Sequence, residues 1–153
     1  MSIFPLFKKA DYFTDEEKLR IVNAIRAAEQ QTSGEVRVYI ESRNVYVDPM
    51  DRAAEVFYDL KMDKTDDRNA VLLYIAMKDK QLALFGDEGI YKVTGAAYWN
   101  NAVKEMIANF SAHHEAEGIV HCVHTIGQTL KEKFPFDRVN DKNELPDEIV
   151  FGK

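Results

Sequence analysis

The sequence predicts an α/β fold with helices on both faces of a small mixed sheet, and three features carry that prediction. Residues 70–77 (AVLLYIAM) form a continuous apolar run, too short for an ordinary helix and typical of a central strand covered on both faces. Lys78-Asp79-Lys80 then turns the chain, and residues 81–85 return as a second strand, giving a tight antiparallel hairpin. Amphipathic helical stretches lie before and after this hairpin. Helices packed on both sides of the sheet are the natural way to bury their stripes.

The elements follow in order. Thr14-Asp15-Glu16-Glu17 is a capping box, and Leu19, Val22, Ile25 and Ala28 continue from it at helical spacing until Ser33-Gly34 ends the helix. Val36, Val38 and Ile40 alternate with Arg37, Tyr39 and Glu41, the pattern of a half-buried strand. Asp48 caps the next helix with Pro49 at its first position, and Ala53, Val56, Phe57 and Leu60 form its apolar face. The strand–helix–strand passage across residues 36–77 implies a right-handed parallel crossover. After the hairpin, Thr94-Gly95 leads into a helix over 96–111 with Trp99, Val103, Met106, Ile107 and Phe110 on its buried side. A last helix from about Glu117 carries Ile119, Val123, Ile126 and Leu130 and stops at Phe134-Pro135.

At 153 residues the chain fits one domain, read as residues 14–135 with an N-terminal extension (1–13) and an acidic tail (136–153). A hydrophobic content of 46% excludes global disorder. The net charge of -6 argues against nucleic-acid binding and suits a cation or plain solubility. The single cysteine, Cys122, cannot form an internal disulfide. No run reaches signal-peptide length or the roughly 20 residues of a membrane span, so the expected location is cytoplasmic.

The chemistry gathers at one end of the hairpin. The strand over 70–77 runs away from Asp66-Asp67-Arg68-Asn69, and the returning strand ends at Gly86-Asp87-Glu88-Gly89. Both loops therefore lie within about one strand spacing of each other, bringing carboxylates and an amide oxygen together. Such oxygens suit a hard cation: Ca²⁺ takes six to eight of them, whereas Mg²⁺ keeps more of its waters. Neither loop matches an EF-hand. The same residue types more often serve as solvated turn residues capping strand ends, and spacing alone favours that reading.

The order of three segments sharpens the choice. Ser33-Gly34-Glu35-Val36-x-Val38, then Asp67-Arg68-Asn69-Ala70-Val71-Leu72-Leu73, then Phe85-Gly86-Asp87-Glu88-Gly89-Ile90, resembles the TPM domain family. The helix led by Trp99, the ending Leu130-x-x-x-Phe134-Pro135 and the tail Asn143-Glu144-Leu145-Pro146-Asp147 extend the likeness along nearly the whole chain. The resemblance implies a three-layer α/β/α sandwich, Rossmann-like in outline, with a divalent cation held by acidic loops. On matching positions it implies Asp66, Asp67 and Asp87 as ligands, followed by Asn69 and Glu88. It also implies the roles claimed for relatives: acid phosphatase activity in a chloroplast-lumen member that assists photosystem II repair, and assistance to membrane proteins elsewhere. Two departures stand out: many relatives carry a leader and membrane anchor, and many have Gly where this chain has Ala70.

Two functional expectations follow. One is a calcium-binding TPM module that recognises a protein partner, membrane-associated in the manner of some relatives; Mg²⁺ is the second choice of ion. The other is a metal-dependent acid phosphatase on phosphomonoesters, with Asp66, Asp67 and Asp87 holding the ion and Arg68 contacting phosphate. Asp67, Asp87 and Arg68 are then the candidate catalytic residues. Binding is favoured because no unambiguous nucleophile or base is visible. More often an arginine such as Arg68 simply balances its carboxylate neighbours. Glu35 and Arg37 are placed either at the same end or toward solvent. His121-Cys122-x-His124, with His113-His114 upstream, lacks zinc spacing and reads as surface and interhelix histidines. The aromatic N-terminus and Ile149-Val150-Phe151 either fold back on the domain or add to a partner as strands.

Overall fold

The computed structural model describes residues 12–46, 48–111, 114–136 and 149–152. The segment with Ile3, Phe4, Leu6 and Phe7, the residue His113 and the stretch 143–147 lie outside the described residues. Among the described residues, five helices and four strands follow in this order: α1 (Asp15–Glu29), β1 (Glu35–Glu41), α2 (Pro49–Asp59), β2 (Ala70–Ala76), β3 (Gln81–Gly86), α3 (Glu88–Thr94), α4 (Ala96–Ser111), α5 (Glu115–Lys133) and β4 (Ile149–Phe151). The sheet order is β3-β2-β1-β4. β1 runs parallel to β2 from Glu35↔Ala70 to Glu41↔Ala76, β4 is parallel to β1, and β3 returns antiparallel to β2.

Every residue of β2 is buried because it is central and both of its faces are covered. Val71, Leu73 and Ile75 point with Val36, Val38 and Ile40 into a core shared with α1, α4 and α5. Leu72 and Tyr74 point to the other face, where Ala53, Val56 and Phe57 of α2 cover them. The continuous apolar run thus records burial on two sides at once. This is the expected α/β/α sandwich on a mixed sheet.

The capping box forms as read: the Glu17 amide donates to Thr14 Oγ1 at 3.1 Å, and the Thr14 amide donates to Glu17 Oε1 at 2.8 Å. Asp48 caps α2 through the Met50 amide at 2.9 Å. On α1, however, the buried stripe is Ile21, Ile25 and Ala28, while Leu19 is 56% exposed. Successive three-residue steps rotate by roughly 60° away from a helix face, so Leu19 turns off a stripe anchored on Ile25. Ile107 of α4 likewise faces outward, while Trp99 and Met106 are buried. α5 lies so close to α1 that a Cβ on Gly127 would stand 2.7 Å from the Ala28 Cβ; only glycine permits that approach.

One element differs from the sequence reading. Residues 88–94, read as loop, form α3, a helix too short to show a periodic stripe, with Ile90 its one buried residue. Of the two readings of Ile149–Phe151, folding back on the domain holds: it forms β4, which pairs with β1 in the chain's own sheet.

Candidate functional site

The hairpin register brings the two acidic loops together. Val71 pairs with Gly86, and the Asp87 amide donates to the Ala70 carbonyl at 2.9 Å. The first turn of α3 rests directly on the other loop: the Gly89 amide donates to the Arg68 carbonyl at 2.8 Å. A Cβ on Gly89 would stand 2.2 Å from the Asp67 carbonyl oxygen, so a side chain there is incompatible with this contact. Arg68 itself adopts a left-handed backbone (φ 51°), uncommon for a residue with a Cβ, and this turn brings its side chain to Asp87.

The five expected ion ligands are not alike. Asp87, 2% exposed, caps α3 by accepting from the Glu88 amide at 2.8 Å. Both its oxygens also receive Arg68, Nε at 2.6 Å and Nη2 at 2.8 Å. Asp87, one of the expected ligands, has a carboxylate that already holds a guanidinium and a helix amide. That carboxylate raises the pKa of Arg68 above its ordinary range, keeping the guanidinium charged. Glu88 is exposed, with Oε1 3.4 Å from the third arginine nitrogen. Asp66 and Asp67 are exposed, and among the described residues neither makes an ion pair or side-chain hydrogen bond.

Asn69 is 1% exposed and closes the floor of the loop. Its Nδ2 donates to Ser33 Oγ at 3.2 Å, while its Oδ1 is buried without a hydrogen-bond partner. Thr65 Oγ1, in the same loop, is also buried without one. Nothing in the sequence around Thr65 marks it. Its orphaned oxygen becomes visible only once Thr65 is seen to lie under the turn.

A model of the TPM domain matches residues 6–129. The chain belongs to the TPM domain family. Among solved structures, BA42 from the psychrophilic bacterium Bizionia argentinensis shares 38% identity over 94% of this chain and 97% of its own, with a TM-score of 0.86. The N-terminal domain of cg2496 from Corynebacterium glutamicum, 14% identical over 79% of this chain and 76% of its own with a TM-score of 0.59, shares the fold. Among curated proteins, none matches.

At the opposite end of the sheet, the TPM domain holds a second polar cluster that sequence reading missed. Glu41, read as the outward member of an alternating strand, is buried beneath α2. Arg52 grips it with Nε at 2.8 Å and Nη2 at 2.9 Å, and the Tyr74 hydroxyl donates to its Oε2 at 2.5 Å. Arg52 also reaches Glu55, and Tyr39 stacks on Tyr74. Each charge there has its partner, as expected of a structural network. Glu35 is buried at the hairpin-mouth end, in register with Ala70. His121 is exposed beside Glu105 at 3.4 Å, and His124 and His114 are exposed as well. Burial pushes the Cys122 thiol up to about 12, so it stays protonated and unreactive. No described helix is long and apolar enough to cross a membrane.

Proposed function

We propose that this TPM domain is a divalent-cation-binding module, with Ca²⁺ as its ion and the loops 66–69 and 86–89 as its site. The buried Asn69 Oδ1 without a partner carries this reading, because a buried oxygen normally has a donor or a cation against it. It lies in the loop that also presents the exposed carboxylates of Asp66 and Asp67, and Glu88 projects from the adjoining helix. An all-oxygen set of this kind fits a hard ion in chemistry, and the irregular loop suits the flexible coordination of Ca²⁺ better than the strict octahedron of Mg²⁺. In this proposal Asp66, Asp67, Glu88 and Asn69 supply ligands. Asp87 contributes by fixing Arg68 and the start of α3. The domain then acts as a binding module toward a protein partner.

The acid phosphatase reading draws less support. A phosphate clamp at Arg68 would use the Nε–Nη2 edge, the edge Asp87 already takes. An aspartyl nucleophile at Asp87 would first have to release that guanidinium.

Titration with Ca²⁺, followed by backbone NMR and melting, tests the binding proposal. Amides in 66–69 and 86–89 are expected to shift together, with stability rising by about 2.7 kcal/mol at a hundredfold excess over Kd. Shifts confined to the α4–α5 histidines would overturn it.

A further inference from the structure

β3 is a sheet edge whose protection, among the described residues, comes from the helices that flank it. Its sequence, Gln81-Leu82-Ala83-Leu84-Phe85-Gly86, has no charge and no proline, and its register with β2 is unbroken by a bulge. Natural edges are normally blunted by one of those devices, or by brevity, as the three-residue β4 is. Among the described residues β3 pairs with β2 alone. Because the Asp87 amide bonds to Ala70, antiparallel alternation turns the backbone N–H and C=O of Leu82, Leu84 and Gly86 away from β2.

Those groups face a groove of about 770 Å³. Met50 and Tyr58 of α2 wall one side, and Tyr91 of α3 with Trp99 of α4 wall the other. Met50, Tyr58 and Tyr91 are each more than 40% exposed, so the walls offer apolar surface to an occupant. The strand lies deep: Ala83 and Leu84 are only 2% and 3% exposed. A second copy, whose β3 is recessed to the same depth, would meet the helical walls before the strands came within pairing distance. A single extended chain is narrow enough to enter.

The charges in the lining specify that chain further. At the Gly86 end Arg68 pairs with Asp87 and reaches Glu88, which leaves that end with one net negative charge. Lys104 is exposed farther along α4 and, among the described residues, has no carboxylate within ion-pair distance. We propose that the β3 groove binds an extended, apolar polypeptide segment of about six residues, adding it as a fifth strand, with one Asp or Glu side chain reaching Lys104. This surface does not depend on the cation reading.

The test uses the full chain and the peptide acetyl-Val-Thr-Phe-Val-Glu-Thr-amide, followed by backbone NMR and amide exchange. Expected are shifts and added exchange protection at Leu82 and Leu84, with a shift of the Trp99 indole. The same peptide N-methylated at alternate amides should lose binding in one of its two registers of methylation. Lys104→Glu should weaken the peptide about tenfold and strengthen its Glu-to-Lys counterpart by a similar factor. Undisturbed β3 amides at millimolar peptide would overturn the proposal. So would equal binding by both N-methylated forms, which would mean adsorption without strand pairing. Indifference to the charge exchange would overturn the role of Lys104 and the acidic specificity with it.

Discussion

Arg68 and Asp87 form a two-pronged ion pair, Nε–Oδ2 2.6 Å and Nη2–Oδ1 2.8 Å, that ties the loop entering β2 to the helix leaving β3. The pair accounts for both unusual features of the loops: a left-handed arginine and a buried aspartate. It also divides the acidic residues into one that holds the scaffold and three that face outward.

That division makes the proposed ion ligands separable from the scaffold by mutation. Asp66→Asn and Asp67→Asn remove exposed carboxylates that carry no structural bond among the described residues. Each should weaken Ca²⁺ binding at least about tenfold while leaving stability within about 0.5 kcal/mol. Asp87→Asn should show the reverse, a modest effect on the ion and a clear loss of stability. Asp87→Ala should cost about 1 kcal/mol more, because Asn retains a capping oxygen and Ala does not. Calorimetric titration alongside urea unfolding checks the pattern. Equal Ca²⁺ loss in Asp66→Asn and Asp87→Asn would place Asp87 among the ligands and contradict its scaffold role.

Gly89→Ala tests whether the two loops act as one unit. The added methyl would stand 2.2 Å from the Asp67 carbonyl oxygen, with the Arg68 carbonyl oxygen at 2.6 Å, and backbone must move to admit it. The expected cost is about 2 kcal/mol, the range of an overpacked site, despite the better helix propensity of alanine. Ca²⁺ affinity should fall in the same variant, since the loop bearing Asp66 and Asp67 is pushed off α3. Unchanged affinity in a destabilised protein would mean that the ion does not depend on this contact.

Much of this was legible in the sequence, for identifiable reasons. β2 was plain because a strand covered on both faces has nowhere to put a polar residue. The meeting of 66–69 with 86–89 followed from strand direction alone. α3 was hidden because seven residues with a single buried side chain have no measurable period. Glu41 was misjudged because alternation assumes one face meets water, whereas α2 covers the end of that face and supplies Arg52. The state of Asp87 was beyond reach for a similar reason. Only the left-handed turn at Arg68 decides whether its carboxylate is free, and nothing in the spelling Asp-Arg-Asn announces that turn.

The Glu41 cluster predicts how the domain responds to mutation and to alkali. Arg52→Met would leave a carboxylate of 5% side-chain exposure without its cation, and a loss of about 3 kcal/mol is expected. The Tyr74 pKa is raised first by burial and then by the hydrogen bond to Glu41. Its proton is therefore held more tightly in the folded state than in the unfolded chain. Above the ordinary tyrosine value of about 10 the unfolded state carries fewer protons, so stability falls as pH rises through that range and is unaffected below it. Urea unfolding between pH 8 and 11, values spanning the ordinary tyrosine pKa, should show the decline, and Tyr74→Phe should make it shallower.

Cys122 offers a probe of opening that needs no mutation. Cys122 is 5% exposed, packed in the core of α5 against α1 and α4, and burial pushes its thiol up to about 12. At pH 8 the folded protein therefore presents essentially no thiolate, whereas the unfolded chain, with a thiol pKa of about 8.5, presents a substantial fraction. An aromatic disulfide reagent should react with the native protein only as fast as α5 detaches, and fully once urea unfolds it. Because a bound ion stabilises the native state, Ca²⁺ should slow this reaction wherever labelling requires global unfolding. Rapid labelling of the native protein, unaffected by Ca²⁺, would show that α5 opens locally and independently of the hairpin mouth.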